Sequence, residues 1–261
     1  DFKPCRTERA ALPRSMTCPR SAKMSSAPEK PPFDAYAGDY EGALNRGLRL
    51  TGESRDFYAR RRVEIMRDAS QHIGLRIGSV CDYGCGTGDT LPLLGEVIGA
   101  QRLIGLDPSA ASLTEARRRH GLAIEWSTPD APESAARANQ VDAVYCNGVF
   151  HHIPPPLRLD AARRIMRMLR PGGCWFFWEN NPFNPGTRWV MSRIPFDRDA
   201  ITLKPGAARR LGEEAGGNWV ETTFHFYFPN ALRACRGAEK WLRHLPLGGQ
   251  YLVVLQQPIT T

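Results

Sequence analysis

Between residues 77 and 179 short apolar runs of strand length alternate with amphipathic stretches of helix length, and this alternation restricts the fold more than any other feature. The expected strands are 77–83, 102–107, 122–126, 141–146 and 174–179. The expected helices are 89–98, 109–120, a short one near 132–138, and 158–170. Strands separated by helices build a parallel sheet covered on both faces, joined by right-handed crossovers. An α/β fold follows, and 261 residues are enough to bury its core.

The flanks add to this frame. Residues 33–73 show helical periodicity, with Tyr36, Tyr40, Leu44 and Leu48 in one stretch and Phe57, Val63, Ile65 and Met66 in the next, broken at Thr51-Gly52. Two helices therefore precede the sheet as an N-terminal cap. After Glu179 a proline-rich loop of about 25 residues intervenes, a length that tends to be functional in a compact domain. A helix at 205–215 follows. Strand-like runs at 219–228 and 250–257 then flank a helical insertion at 230–244, giving seven strands in all.

Residues 1–32 carry seven Lys or Arg against three acids and lack any apolar period. Such a segment cannot bury enough surface to offset its ordering entropy, and a disordered basic tail is expected ahead of a single domain at 33–261. The residues before Met24 read as a tag remnant or an upstream extension. The tail supplies half of the formal charge of +8, so the domain is only mildly basic and nucleic acid is not the expected partner. No apolar run reaches the length of a membrane span, and no membrane partner is expected. The seven cysteines are odd in number, and Cys81, Cys146 and Cys174 sit in strand-like runs, a pattern of reduced thiols in a cytoplasmic protein. Their spacing suggests no metal site.

The first strand runs into Asp82-Tyr83-Gly84-Cys85-Gly86-Thr87-Gly88, and the second, Leu103-Ile104-Gly105-Leu106-Asp107, ends on an acid. In an open parallel sheet ligands approach beyond the carboxyl ends of the strands. Glycines there let backbone meet ligand, and a carboxylate about 20 residues later can accept both hydroxyls of a ribose. A dinucleotide is disfavoured. The sixth residue from Gly84 is Asp89 and from Gly86 is Leu91, so the third fingerprint glycine is missing. The Asp89 carboxylate at the helix start would also repel a pyrophosphate. A phosphate-free ligand bearing a sulfonium and an ammonium tolerates it.

With these features the chain resembles the class I S-adenosylmethionine-dependent methyltransferases over residues 34–257. The matching motifs are the glycine turn, Gly105-Leu106-Asp107-Pro108-Ser109, Val141-Asp142-Ala143-Val144 leading to Asn147-Gly148-Val149-Phe150-His151-His152-Ile153, and Leu169-Arg170-Pro171-Gly172-Gly173. The resemblance implies a Rossmann-like fold, a seven-stranded and mostly parallel sheet, S-adenosylmethionine as donor and S-adenosylhomocysteine as product. It implies that Gly84, Cys85, Gly86 and Gly88 hold the methionine part with Asp82 near its ammonium, and that Asp107 takes the ribose with Pro108 also at the cofactor; Asp82 as a cap of the turn and Asp107 as a cap of the helix from Ser109 are the structural alternatives. A residue around Asp130 would take the adenine edge, with Glu125 or Glu133 as substitutes, and the Asn147 backbone would touch the methionine portion. Trp126 either stacks on adenine or belongs to the core.

The acceptor side is expected at the ends of the fourth and fifth strands. His151 and His152 are candidate bases near neutral pH, or pack against cofactor and helix instead. Glu179 ends the fifth strand, followed by Asn180, Asn181 and Asn184, a polar cluster suited to an acceptor or to turn formation. Tyr36 and Tyr40, with Tyr58 and Arg61, lie where related enzymes fold over the cofactor, so Tyr36 and Tyr40 are candidate substrate contacts, or the stripe is plain packing. The aromatic segment from Phe224 through Trp241 to Leu245 is either a wall over the acceptor, a core element or a homodimer contact. The arginine runs 60–62 and 117–119 read as solvated helix faces. The Asn181–Pro185, Pro195–Ala200 and Pro246–Tyr251 stretches resemble a bacterial subgroup seen among sugar and secondary-metabolite genes. A small-molecule acceptor with an oxygen or nitrogen nucleophile is expected. An RNA or protein methyltransferase and a non-catalytic S-adenosylmethionine-binding scaffold are the alternatives.

Overall fold

A computed structural model describes residues 51–121, 123–135, 138–194 and 200–259. By its contacts the chain divides at Lys30, and all described residues belong to the unit Pro31–Thr261. The expected tail, the first leading helix, Tyr36 and Tyr40 lie outside the described residues.

Helix α1 spans Arg55–His72, opened by Ser54, whose hydroxyl accepts from the Phe57 N–H. Its buried positions are Ala59, Arg62, Val63, Met66 and Ser70, one stripe at helical spacing. The sheet strands are β1 (Ser79–Tyr83), β2 (Arg102–Leu106), β3 (Glu125–Ser127), β4 (Val141–Asn147), β5 (Leu169–Asn180), β6 (Asn218–His225) and β7 (Gln250–Gln256). Their order is β3-β2-β1-β4-β5-β7-β6. The first five are parallel, and β7 lies antiparallel between β5 and β6. This is the Rossmann-like class I methyltransferase sheet, seven-stranded and mostly parallel.

Alternation along each strand separates two apolar layers. Val80, Ala143, Tyr145, Phe176 and Trp178 pack under Val63 and Met66 of α1 and under Leu91 of α2 (Leu91–Leu93). Cys81, Val144, Trp175 and Phe177 face the opposite side and pack on the helix Arg158–Met168. The crossover helices are α3 (Ala110–His120), the four-residue α4 (Pro132–Ala135) and α5 (Arg158–Met168). Burying each large side chain in these layers contributes about 1.5–3 kcal/mol.

Some expected boundaries shift for local reasons. The helix expected at 89–98 opens at Leu91, with Pro92 in its first turn, and continues as a π-helical turn over Leu94–Ile98. The proline-rich stretch after β5 is not structureless, because Asn184 caps α6 (Pro185–Met191). Helix α7 (Pro205–Glu214) lies near its expected place. The strand expected at 219–228 stops at His225, where Phe226 takes a φ of +65° and turns the chain out of the sheet. The insertion is then a 3-10 stretch, Asn230–Ala238, with Leu232 out of helical conformation, followed by α8 (Glu239–Leu242). None of the described helices is long and apolar enough to cross a membrane.

Candidate functional site

Two cavities adjoin at the carboxyl ends of the parallel strands. The smaller, about 360 Å³, is lined by Asp82, Gly84, Cys85, Gly86, Asp107 and Pro108 among others. The larger, about 410 Å³, is lined by Tyr58, His151, Asn180, Asn184, Trp189 and Phe226 among others. Arg55, Arg62, Asn147, Gly148 and His152 line both and form the neck between them.

The glycine turn is shaped by what surrounds it. Gly84 has φ +80°, and a Cβ there would lie 2.3 Å from Val149 Cγ2, so that position admits glycine alone. A Cβ on Gly86 would meet no atom within 4 Å, which leaves its backbone open to the cavity. Gly88 faces elsewhere: its Cβ would strike the Trp126 ring at 2.4 Å, and Gly105 lies against the same ring. Gly88 is therefore a packing glycine outside the cavity lining. Trp126 donates its Nε1–H to Gly121 and packs beside His120, as a core element rather than a wall of the cavity.

Asp107 ends β2 with one carboxylate oxygen accepting from the Gly86 N–H and the other from the Ser109 N–H, each at 2.8 Å. The acid thus ties the glycine turn to the next helix while lining the cavity. Asp82 is buried, and its desolvation, with the Asp107 charge added, pushes its carboxyl up to about 8 against the opposing pull of Arg62. Asp89 lines the same cavity. Burial opposes its charge, but the Thr87 hydroxyl and the Arg55 guanidinium at 2.7 Å win, and its carboxyl is held below the usual range.

Arg62 is the residue that sequence patterning placed on a solvated face and the structure buries. Its Nε donates to the Tyr145 hydroxyl and its Nη1 to Gln250 Oε1, both at 3.0 Å. Gln250 in turn donates to Asn180 Oδ1, so a polar chain crosses the neck from β4 to β5. No carboxylate pairs with Arg62 among the described residues. The other arginines expected on solvated faces, Arg60, Arg61 and 117–119, are exposed. The missed signal was the stripe of α1, in which position 62 falls between Ala59 and Met66 on the apolar face.

At the larger cavity, Glu179 and His151 form a buried pair, Oε2 to Nδ1, at 2.6 Å. The other Glu179 oxygen accepts the Phe150 and His151 N–H groups, locking the turn after β4 to the end of β5. The register Asn147↔Trp178 sets Glu179 one residue past the last pair, beside the turn that follows β4. The His152 ring stands 4.0 Å from that of His151, at the neck. Asn180 and Asn184 line the larger cavity, and Asn184 also caps α6 by accepting from the Thr187 N–H. Asn181 does not line it. It is fully buried and donates to the Pro246 and Gly248 carbonyls, pinning the last connection.

Asp130 also stands away from both cavities, exposed and ion-paired with Arg164 of α5. Glu125, a proposed substitute, pairs with Arg102 at 2.7 Å, and the side chain of Glu133 lies outside the described residues.

Residues 80–173, from β1 into β5, match the family model described as a methyltransferase domain. Over these residues the chain is similar to the methyltransferase domains of S-adenosylmethionine-dependent enzymes. The chain is 33% identical over 159 residues to the trans-aconitate 2-methyltransferase of Azoarcus sp. (strain BH72), covering 60% of this chain and 58% of that one. It is 35% identical over 140 residues to the ubiquinone biosynthesis O-methyltransferase of Stutzerimonas stutzeri (strain A1501), covering 48% and 57%. The chain thus spans somewhat over half the length of these curated relatives. Its fold matches a chain in the complex between the Haloferax volcanii Trm112 methyltransferase activator and a methyltransferase, with a TM-score of 0.58 at 20% identity, covering 88% of this chain and 99% of that one.

Proposed function

We propose that residues 33–261 act as one domain that binds S-adenosylmethionine in the smaller cavity and directs its methyl group to an oxygen of a small molecule in the larger one. The observation that carries this reading is the buried His151–Glu179 pair on the wall of a second cavity that shares its neck with the first.

The polar groups of the smaller cavity fit the donor. Asp82 complements an α-ammonium, Arg62 an α-carboxylate and Asp107 a ribose, while the open backbone of Gly86 lets the ligand approach closely. Asn147 Oδ1 is buried without a hydrogen-bond partner, an acceptor placed at the neck for a ligand donor. When bound, S-adenosylmethionine supplies an electrophilic methyl on sulfur with a thioether as leaving group.

The protein's own part is alignment and proton removal. Glu179 holds Nδ1 of His151 as the donor nitrogen, which makes Nε2 the proton acceptor of the neutral ring. That ring takes the proton of an acceptor hydroxyl as its oxygen attacks. A hydroxyl needs such a base, and the O-methyltransferase among the relatives supports the same choice of atom. A cavity of 410 Å³ suits a small molecule such as a sugar or secondary metabolite rather than a macromolecule. The buried thiols accord with a cytoplasmic enzyme.

The test is release of S-adenosylhomocysteine over a panel of hydroxylated small molecules, with wild type and His151→Asn. The expected result is O-methylation by wild type and a loss of about 10²–10⁴-fold in kcat in the variant, with cofactor affinity retained. N-methylated product, or an undiminished variant, would reject the oxygen and base assignments.

A further inference from the structure

We propose that the end of the sheet at which the cavities open is a docking surface for lipid bilayers with anionic headgroups. Of the ten large apolar side chains exposed among the described residues, eight lie on connections at this end. Leu157 follows β4, Phe183 and Trp189 follow β5, and Trp241, Leu245 and Leu247 follow β6. The topology gathers them. β5 and β6 are both antiparallel to β7 and so run in one direction, and their following connections leave from the edge that carries the glycine turn. The remaining two, Trp219 and Ile259, belong to the opposite edge.

The β6–β7 connection has no core of its own. No residue of Asn230–Ala238 or of α8 is buried, and Trp241 is 73% exposed. Polar bonds hold its shape. The Tyr227 hydroxyl donates to the Leu242 and Leu245 carbonyls, Glu239 accepts the Tyr227 and Phe228 N–H groups, and Asn184 donates to the Leu247 carbonyl. The backbone is thus fixed to the cavity wall while Trp241, Leu245 and Leu247 are left exposed, available to an apolar partner.

Charge selects the partner. Residues 226–249 hold Arg233, Arg236, Lys240 and Arg243 against Glu239, and residues 181–194 hold Arg188 and Arg193 with no acid. Arg193 lies 4.0 Å over the Trp189 ring and Lys240 lies 4.4 Å over the Trp241 ring. Exposed Trp and Leu interleaved with Lys and Arg suit the boundary between headgroups and acyl chains, and the cations add attraction to an anionic leaflet. A second copy of the chain would bring the same cations to this face and be repelled. The association is peripheral, so the expectation of no membrane partner, which rested on the lack of a spanning run, does not cover it.

The test is cosedimentation of the full chain with vesicles of mixed phosphatidylcholine and phosphatidylglycerol against phosphatidylcholine alone, at low and high salt. Binding to the mixed vesicles is expected, weakened by salt. Lys240→Glu with Arg243→Glu should cut partitioning about tenfold or more. Trp241→Ala with Leu245→Ser should also cut it, and both variants should keep wild-type affinity for S-adenosylhomocysteine, which shows that they are folded. Equal sedimentation with the two vesicle types, or undiminished binding by both variants, would overturn the proposal. So would a concentration-dependent dimer that protects Trp241 and does not bind vesicles. Loss of S-adenosylhomocysteine binding by wild type with vesicle binding intact would count against the cofactor reading alone.

Discussion

Asp82 and Arg62 both line the smaller cavity but differ greatly in their visibility in the sequence. Asp82 precedes a glycine turn at the end of a strand, a place where an acid announces itself. Arg62 sits in a run of three arginines and is distinguished by helical phase alone, which charge counting ignores. Asp130 shows the converse, because a loop bounded by Pro129 and Pro132 leaves its direction undetermined, and it turned to Arg164. The raised Asp82 carboxyl leads to a pH prediction. With its carboxyl up at about 8, Asp82 is protonated in the free enzyme near neutrality, whereas an adjacent ammonium favours the ionised form. Cofactor binding should therefore release a proton and tighten as pH rises towards 8. Calorimetry in buffers of different ionisation enthalpy would detect the release, and Asp82→Asn should abolish it. For Arg62, Arg62→Gln should weaken S-adenosylhomocysteine by about 1.5–3 kcal/mol, the worth of a hydrogen bond to a charged group. Binding of 5′-methylthioadenosine, which lacks the amino-acid part, should stay unchanged. An equal loss for both ligands would place Arg62 elsewhere.

Among the elements, the parallel strands were legible because their apolar runs alternate with amphipathic helices, and β4 and β5 end within two residues of expectation. The connection after β6 was not. Helical periodicity over 230–244 suggested one helix, but with no buried face to pack, the segment settled into 3-10 turns held by side-chain bonds to backbone. Glycines that look alike in the sequence also part company. Gly84 and Gly86 serve the cavity, whereas Gly88 and Gly105 make room for Trp126, a distinction that only the neighbouring element reveals. Gly105→Ala should accordingly destabilise the fold by about 1–3 kcal/mol through overpacking against the Trp126 ring, which lies 2.5 Å from the added Cβ. Chemical denaturation measures this directly. A smaller residue in place of Trp126 should recover part of the loss, and no recovery would show that the clash lies elsewhere.

For the whole molecule, the sheet order brings β1, β2 and β4 together around the smaller cavity and sets β5 and β7 beside the larger one, so one strand edge carries both halves of the proposed transfer site. In the proposed reaction binding is led by Asp107 and proton removal by His151. The central claim is that the smaller cavity is the donor site, and titration calorimetry of S-adenosylhomocysteine into wild type and Asp107→Ala tests it most directly. The account predicts binding at one site per chain by wild type and a loss of about 1.5–3 kcal/mol in the variant, with its circular dichroism unchanged. No heat of binding in wild type, or equal affinity in a folded Asp107→Ala protein, would contradict it.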